Sequence, residues 1–328
     1  MSAVFLSCAT GEQITPPELD MSYFYGEGGI REASTGGGLG PATGTGGSGG
    51  NSSGGGNSSG GSGVAPPPGT FTGNGDGLTT GLFIPDLMDD EGNYILYDPT
   101  SLPKSTPAPV VIVFHKIQTS NAEMLALTGF DAKAEAEGFV VVLPTTANTQ
   151  WNVGGRTTFC ASRLLNAGHD TTAFVTQVLD ATAQTRAIDR SKVFVTGWAL
   201  GAYAASHVAC QMPDVITAVA SHSGGGPADS CNGPVPAMIL HGDADSTVRY
   251  DPCGISSYDR WANHNGCLPE FTTAEHSPSG SCETRTGCSA TTTFCTFPGM
   301  GHGWAGSSDS PGYASATDLI WDFFKAAM

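Results

Sequence analysis

Basic residues are scarce in this chain: Lys and Arg total 13 against 30 Asp and Glu, a formal charge of −17. That balance repels polyphosphates and anionic lipid heads by Coulomb repulsion, so no nucleic acid is expected as a partner. Long apolar runs are missing too. No stretch of 18 or more apolar residues occurs anywhere, so the sequence offers no transmembrane segment. Charged residues of both signs make up only 13%, while Gly, Ser, Thr, Asn and Ala are abundant, a balance more typical of an exported chain than of a cytosolic one. The paired CxxC spacing of a zinc site is also absent, and no metal is expected.

Cysteine, by contrast, is plentiful. Nine cysteines would be a liability in a reducing cytosol, so the count points to an extracellular or cell-envelope location. Eight of them, Cys160, Cys210, Cys231, Cys253, Cys267, Cys282, Cys288 and Cys295, form an even set that suits up to four disulfides. Eight cysteines allow on the order of 100 connectivities. Cys282 with Cys288, closing a small loop through Gly287, is the favoured pair, with buried free thiols as the alternative. The ninth, Cys8, follows Ala3, Val4, Phe5, Leu6 and Ser7. That run resembles the tail of a bacterial lipoprotein signal without its basic region or full apolar stretch. Two expectations follow: a lipid anchor at Cys8, or a chance match.

Residues 36–63 hold fifteen glycines in 28 positions, mixed with Ser, Asn and Thr. Such a segment cannot bury enough surface to offset its ordering entropy, so 36–68 reads as a disordered linker of roughly 30 Å reach. It follows a short acidic segment, 1–35, and precedes a folded domain, 69–328. Within that domain short apolar runs alternate with helical stretches. Strands are expected at 94–97, 109–114 (PVVIVF), 139–143 (FVVVL), 193–195, 216–220, 237–240 and 291–297; helices at 121–137, 170–187, 202–210, 256–263 and 315–327. Strands buried on both faces and alternating with helices imply an α/β fold, a mostly parallel central sheet covered by helices on both sides.

The most informative segment is KVFVTGWALGAYAASHVAC, Lys192 to Cys210. A buried strand ends in Gly197-Trp198-Ala199-Leu200-Gly201 and passes at once into an alanine-rich helix. This is the strand, sharp turn and helix of a nucleophile elbow, G-x-S-x-G, with one letter changed. Side chains at the two glycines would collide with neighbouring backbone. The central residue faces substrate beside a helix N-terminus that favours developing negative charge. Ala199 presents a methyl there and cannot attack an ester carbonyl.

The serine's partners are present in the order this fold uses. His241-Gly242-Asp243-Ala244-Asp245 follows the strand PAMIL, with Asp245 as the acid and Asp243 as fallback. Gly299-Met300-Gly301-His302-Gly303-Trp304 follows TTTFCTF and offers His302 as the base. His115 and His241, at strand ends, read as structural, and Ser223 in SHSGGG as a loop residue. Trp151, Trp198 and Trp304 sit beside motif positions; they line a pocket or pack the core.

HGDAD with Val248, GMGHGWAG, GWALG, WANHNGC and the closing IWDFF together resemble the polyhydroxybutyrate-depolymerase and feruloyl-esterase group of α/β-hydrolases, over roughly Pro109 to Lys325. The resemblance implies a secreted serine hydrolase acting on an ester-containing small molecule or polymer, with no cofactor. It places the nucleophile position at Ala199, the acid at Asp245 and the base at His302. The chain departs from the group after PVVIVF, where His-Gly is expected and His115-Lys116-Ile117 stands. The oxyanion donors then become the backbone N–H groups of Ile117 and Leu200. His169-Asp170-Thr171, where the group tends to carry two acids, reads as helix capping.

Two functional classes follow. One is an esterase scaffold whose serine has been exchanged deliberately for alanine, since Asp245, His302 and both elbow glycines are retained. The other is a natural pseudo-hydrolase that binds an ester, polymer or glycan without turnover, with Lys116 as a second departure at the same site. Both imply little turnover, because loss of a triad serine costs about 2 × 10⁶ in subtilisin. A wall-tethered adhesion module is a third reading that rests on the linker alone.

Overall fold

Runs of Val and Ile without polar alternation suit strands covered on both faces, because β-branched side chains are stiff at χ1 and pack well on a pleated surface. The computed structural model describes residues 71–83, 93–146, 150–153, 160, 170–227 and 230–328, and there these runs form the centre of a 10-stranded sheet. Its strands are β1 (Gly77–Phe83), β2 (Asn93–Asp98), β3 (Ala108–Phe114), β4 (Val140–Thr145), β5 (Ile188–Trp198), β6 (Ala218–His222), β7 (Ala237–Gly242), β8 (Phe271–Glu275), β9 (Ser281–Arg285) and β10 (Thr292–Phe297). The helices are α1 (Asn121–Thr128), α2 (Phe130–Glu137), α3 (Thr171–Ala183), α4 (Leu200–Gln211), α5 (Ile255–His264) and α6 (Ala316–Ala326).

The spatial order is β1-β2-β4-β3-β5-β6-β7-β10-β9-β8. The six strands from β4 to β10 run parallel, and antiparallel pairs close both edges. Because side chains alternate along a strand, the sheet feeds two cores. Val110, Ile112 and Phe114 pack with Phe174 of α3, Tyr203 of α4 and Trp261 of α5. Val111 and Val113 pack on the opposite face with Phe130 of α2 and with Ile320, Trp321 and Phe324 of α6. This is the expected architecture, a disulfide-rich α/β-hydrolase fold.

Several elements differ from the sequence reading. The single helix expected over 121–137 breaks at Gly129, whose φ of +64° caps α1 and starts α2. Its outer ends are as expected: Ser120 forms a capping box with Glu123, and Gly138 closes α2 in a left-handed cap. The helix expected over 170–187 is capped by Asp170 but stops at Ala183. Arg186 is buried there against Asp98 and also donates to the carbonyls of Ala187, Pro103 and Thr106, contacts that a continuing helix would not allow. β1, β8 and β9 were not anticipated. β8 is exposed along its whole length and carries no apolar alternation to mark it.

The favoured Cys282–Cys288 pair is not formed. The disulfides are Cys160–Cys253, Cys210–Cys231, Cys267–Cys288 and Cys282–Cys295. Cys282 and Cys295 lie directly opposite each other across β9 and β10, a register that rules out the shorter loop. Cys8, the segment 1–35 and the linker 36–68 lie outside the described residues. Among the described residues no helix is long and apolar enough to cross a membrane.

Candidate active site

The site is assembled where the parallel strands end. Phe114 of β3 pairs with Gly197 of β5, and Trp198 pairs with His222 of β6, so the segments that follow these strands leave the sheet side by side. After Trp198 the chain turns through Ala199 and enters α4 at Leu200. The turn is tight enough to forbid side chains at both flanking glycines. A Cβ on Gly197 would stand 2.4 Å from the Gly201 carbonyl oxygen, and one on Gly201 would stand 2.1 Å from that of Phe114. Ala199 itself has φ 52° and ψ −115°, backbone that an L residue adopts only under strain. Its N–H donates to the His222 carbonyl at 3.0 Å, and its own carbonyl accepts from Ala202 at 3.0 Å, the first turn of α4. The methyl is thereby fixed at the apex of the strand-to-helix corner.

The loop after β7 supplies the carboxylate. Oδ1 of Asp245 accepts from the Thr247 and Val248 amides at 2.9 and 3.0 Å, which orients the group. Its Oδ2 accepts from His302 Nδ1 at 2.8 Å and lies 3.4 Å from His241 Nε2. Burial alone would raise the Asp245 pKa. Hydrogen bonds from His241 and His302, together with their charges, outweigh burial and hold the carboxyl well below the usual carboxylate range. Asp243, the fallback acid, instead accepts from the Gly299 amide at 2.5 Å and ties the two loops together. His241 donates to the Val248 carbonyl at 2.7 Å, so it braces the acid from behind.

His302 stands on the loop after β10. That loop is tied to the β7 loop by Asp243 N–H to the Phe297 carbonyl and Ala244 N–H to the Met300 carbonyl. With Nδ1 donating to Asp245, the ring directs Nε2 away from the acid, the tautomer a general base needs. The imidazole stacks on Trp198 with centroids 5.4 Å apart, which sets it beside the residue preceding Ala199. Asp245, His302 and the Ala199 corner are thus brought together.

The proposed oxyanion donors are placed as follows. Ile117 lies in the turn after β3, partly buried against the core. Leu200 opens α4, so its N–H precedes the helix's first bonded amide, that of Ala202. Lys116 extends its ammonium over the Trp198 ring, 4.7 Å from the centroid.

Of the three tryptophans read as lining a pocket or packing the core, Trp198 stacks on His302. Trp151 is fully buried and donates to the His115 carbonyl at 2.9 Å. Trp304 is equally buried and donates to Thr317 Oγ1 at 3.0 Å. Both are core residues whose indole N–H groups are tied to the scaffold.

His222 is the residue that sequence reasoning missed. It is fully buried, its Nε2 accepts from the Ala305 amide at 3.2 Å, and its Nδ1 donates to Ser223 Oγ at 3.1 Å. Burial, then the charges of His241 and His302, drive its pKa well below the ordinary histidine value. A neutral His222 therefore clamps the His302 loop to the end of β6, while its carbonyl holds the Ala199 amide. Its signal in the sequence was a histidine closing an apolar strand just before SGGG. Among the described residues no cluster of three or more His, Cys, Asp or Glu side chains is placed to hold a metal ion.

A mostly parallel sheet with an elbow after β5, a carboxylate after β7 and a histidine after β10 defines an α/β-hydrolase. The profile described as the dienelactone hydrolase family matches residues 99–277, and the chain belongs to that family. A lactone is a cyclic ester, so the scaffold is that of an ester hydrolase. Among similar proteins, probable feruloyl esterase C of Aspergillus terreus is 28% identical over 204 residues, covering 61% of this chain and 68% of the relative. Probable acetylxylan esterase A of Aspergillus flavus is 30% identical over 145 residues, covering 43% of this chain and 45% of the relative, so the chain spans less than half of that protein. The solved acetyl xylan esterase of Aspergillus awamori superposes with a TM-score of 0.58 at 19% identity, covering 76% of this chain and 98% of that one, a likeness of fold.

Proposed function

We propose that this chain carries the Ser-His-Asp machinery of a carboxylic ester hydrolase with alanine at the nucleophile position. Ala199 takes the place of the attacking serine, His302 is the base, Asp245 orients it, and the amides of Ile117 and Leu200 are the oxyanion donors. The carrying observation is the 2.8 Å bond from His302 Nδ1 to Asp245, made by a ring that stacks on the residue next to Ala199. In the unaltered chain the base is poised but has no hydroxyl to deprotonate, so no acyl-enzyme forms and turnover is negligible. Substitution Ala199→Ser is expected to raise hydrolysis of p-nitrophenyl acetate by about 10⁴-fold or more. An inert variant that remains folded contradicts this reading.

The substrate class proposed is an acyl ester on a polysaccharide, acetyl or feruloyl, in keeping with the names of the relatives. Polyhydroxyalkanoate, which the sequence motifs also raised, is assayed in parallel. A natural pseudo-hydrolase that binds such esters without turnover is the second reading, favoured by Lys116, whose ammonium lies over the ring of Trp198 next to Ala199. Four disulfides support an extracellular or cell-envelope location. The hydrolase domain is taken as 69–328 on a linker 36–68, with a lipid anchor at Cys8 as the proposed tether.

A further inference from the structure

We propose that this site holds a free carboxylate, with Lys116 as the residue that recognises its charge. The inference rests on the reading of Ala199 as the apex of the elbow and adds a ligand class to it.

The chain has five lysines. Lys104, Lys133, Lys192 and Lys325 each form an ion pair with a carboxylate, as expected where acids outnumber bases by more than two to one. Lys116 is the exception: among the described residues it takes part in no ion pair. The carboxylate that feels its charge, Glu123, is already held by the Ser120 amide and hydroxyl, each at 2.8 Å. The ammonium is instead laid over Trp198, and Trp198 stacks on His302. A cation held in place by an aromatic face, rather than by an acid, keeps its charge available to an anion.

The surroundings favour an anion as well. Phe114 pairs with Gly197 and the His115 carbonyl lies against Gly201, so Lys116 shares its turn with the Ile117 amide and leaves β3 next to the elbow. Donors arranged for the oxygen of a tetrahedral intermediate also suit a carboxylate, which carries the same charge on similar oxygens. The indole N–H of Trp198, a residue only 5% exposed, has no hydrogen-bond partner among the described residues. Asp245, the acid paired with His302, is engaged through both oxygens, and Asp243 on the same loop is held by the Gly299 amide. With a methyl at 199 in place of a hydroxyl, a carboxylate meets no nucleophile and leaves unchanged.

The test is equilibrium binding to the full chain by calorimetry at fixed pH, with acetate and ferulate each compared with its methyl ester. The proposal predicts that at least one acid binds about tenfold more tightly than its ester, and that Lys116→Gln removes this preference. It also predicts that Lys116→Arg keeps the preference, that added salt shrinks it, and that neither variant shifts the melting temperature. Failure of both acids to bind, or an acid preference that survives in Lys116→Gln, overturns it. Ester hydrolysis by Ala199→Ser without acid binding removes this inference and leaves the esterase reading standing; acid binding beside an inert Ala199→Ser variant does the reverse.

Discussion

Among the described residues three non-glycine residues have positive φ: Gln118, Ala199 and Ser223. All three stand just past the ends of parallel strands, β3, β5 and β6. Each such conformation costs about 1–3 kcal/mol, and glycine would relieve it. Keeping a Cβ at 199 means the corner is built to present a side chain. Beside it, His115 donates from Nδ1 to the Lys116 carbonyl at 2.7 Å and accepts at Nε2 from Thr145 at 2.9 Å. Burial lowers its pKa to about 4. The unfolded chain takes up a proton near pH 6.5 that the folded chain refuses until about pH 4, so stability falls as pH drops through that window. Thermal melts should show a shallower loss between about pH 7 and 4.5 in His115→Asn than in the unaltered chain. An unchanged slope would remove His115 from the account; His222, shifted in the same direction, keeps some slope in either case. At this scale the sequence made Ala199, His302 and the acid-bearing loop readable, because each sits in a short motif at a strand end. It favoured Asp245 as the acid and kept Asp243 as fallback, since they share one loop; in the fold His302 meets Asp245, while Asp243 holds the Gly299 amide.

Gly201 joins two elements, because it lies in the first turn of α4 where the helix presses on the carbonyls of Phe114 and His115. Alanine is favoured over glycine inside a helix by about 1 kcal/mol. The 2.1 Å approach to Phe114 must then be relieved by moving β3 away from α4, at a cost of ~3 kcal/mol or more. Gly201→Ala should therefore lower the denaturant midpoint clearly. Gly312→Ala, where an added Cβ meets nothing within 4 Å, should leave it nearly unchanged. Equal midpoints would mean that the corner is looser than described. The central strands were legible because both faces are apolar, and α3 because its Asp170 cap agrees with the apolar spacing of Phe174, Val178 and Leu179. The break at Gly129 was hidden because one glycine inside a helical pattern is compatible with either outcome. β8 stayed hidden because edge pairing with β9, and not burial, is what makes it a strand.

Across the molecule, the parity of the eight cysteines was readable and their pairing was not, since connectivity depends on which strands become neighbours. Cys160–Cys253 closes the longest loop, 93 residues, against 21 for Cys267–Cys288. If restriction of the unfolded chain dominates, removing the first with paired serine substitutions costs ~4–5 kcal/mol and the second ~3 kcal/mol. Denaturant unfolding gives the order, and a larger loss from the shorter loop would assign the effect to native-state contacts instead. The proposed function requires that the ends of β5, β7 and β10 form a triad lacking only its hydroxyl. The most direct measurement is intact mass after treatment with a fluorophosphonate, applied to the chain as it stands, to Ala199→Ser, and to Ala199→Ser combined with His302→Ala. One adduct per molecule is expected on Ala199→Ser, at residue 199, and none on the other two. An Ala199→Ser protein that folds yet stays unlabelled, or a label carried elsewhere, would contradict the proposed function.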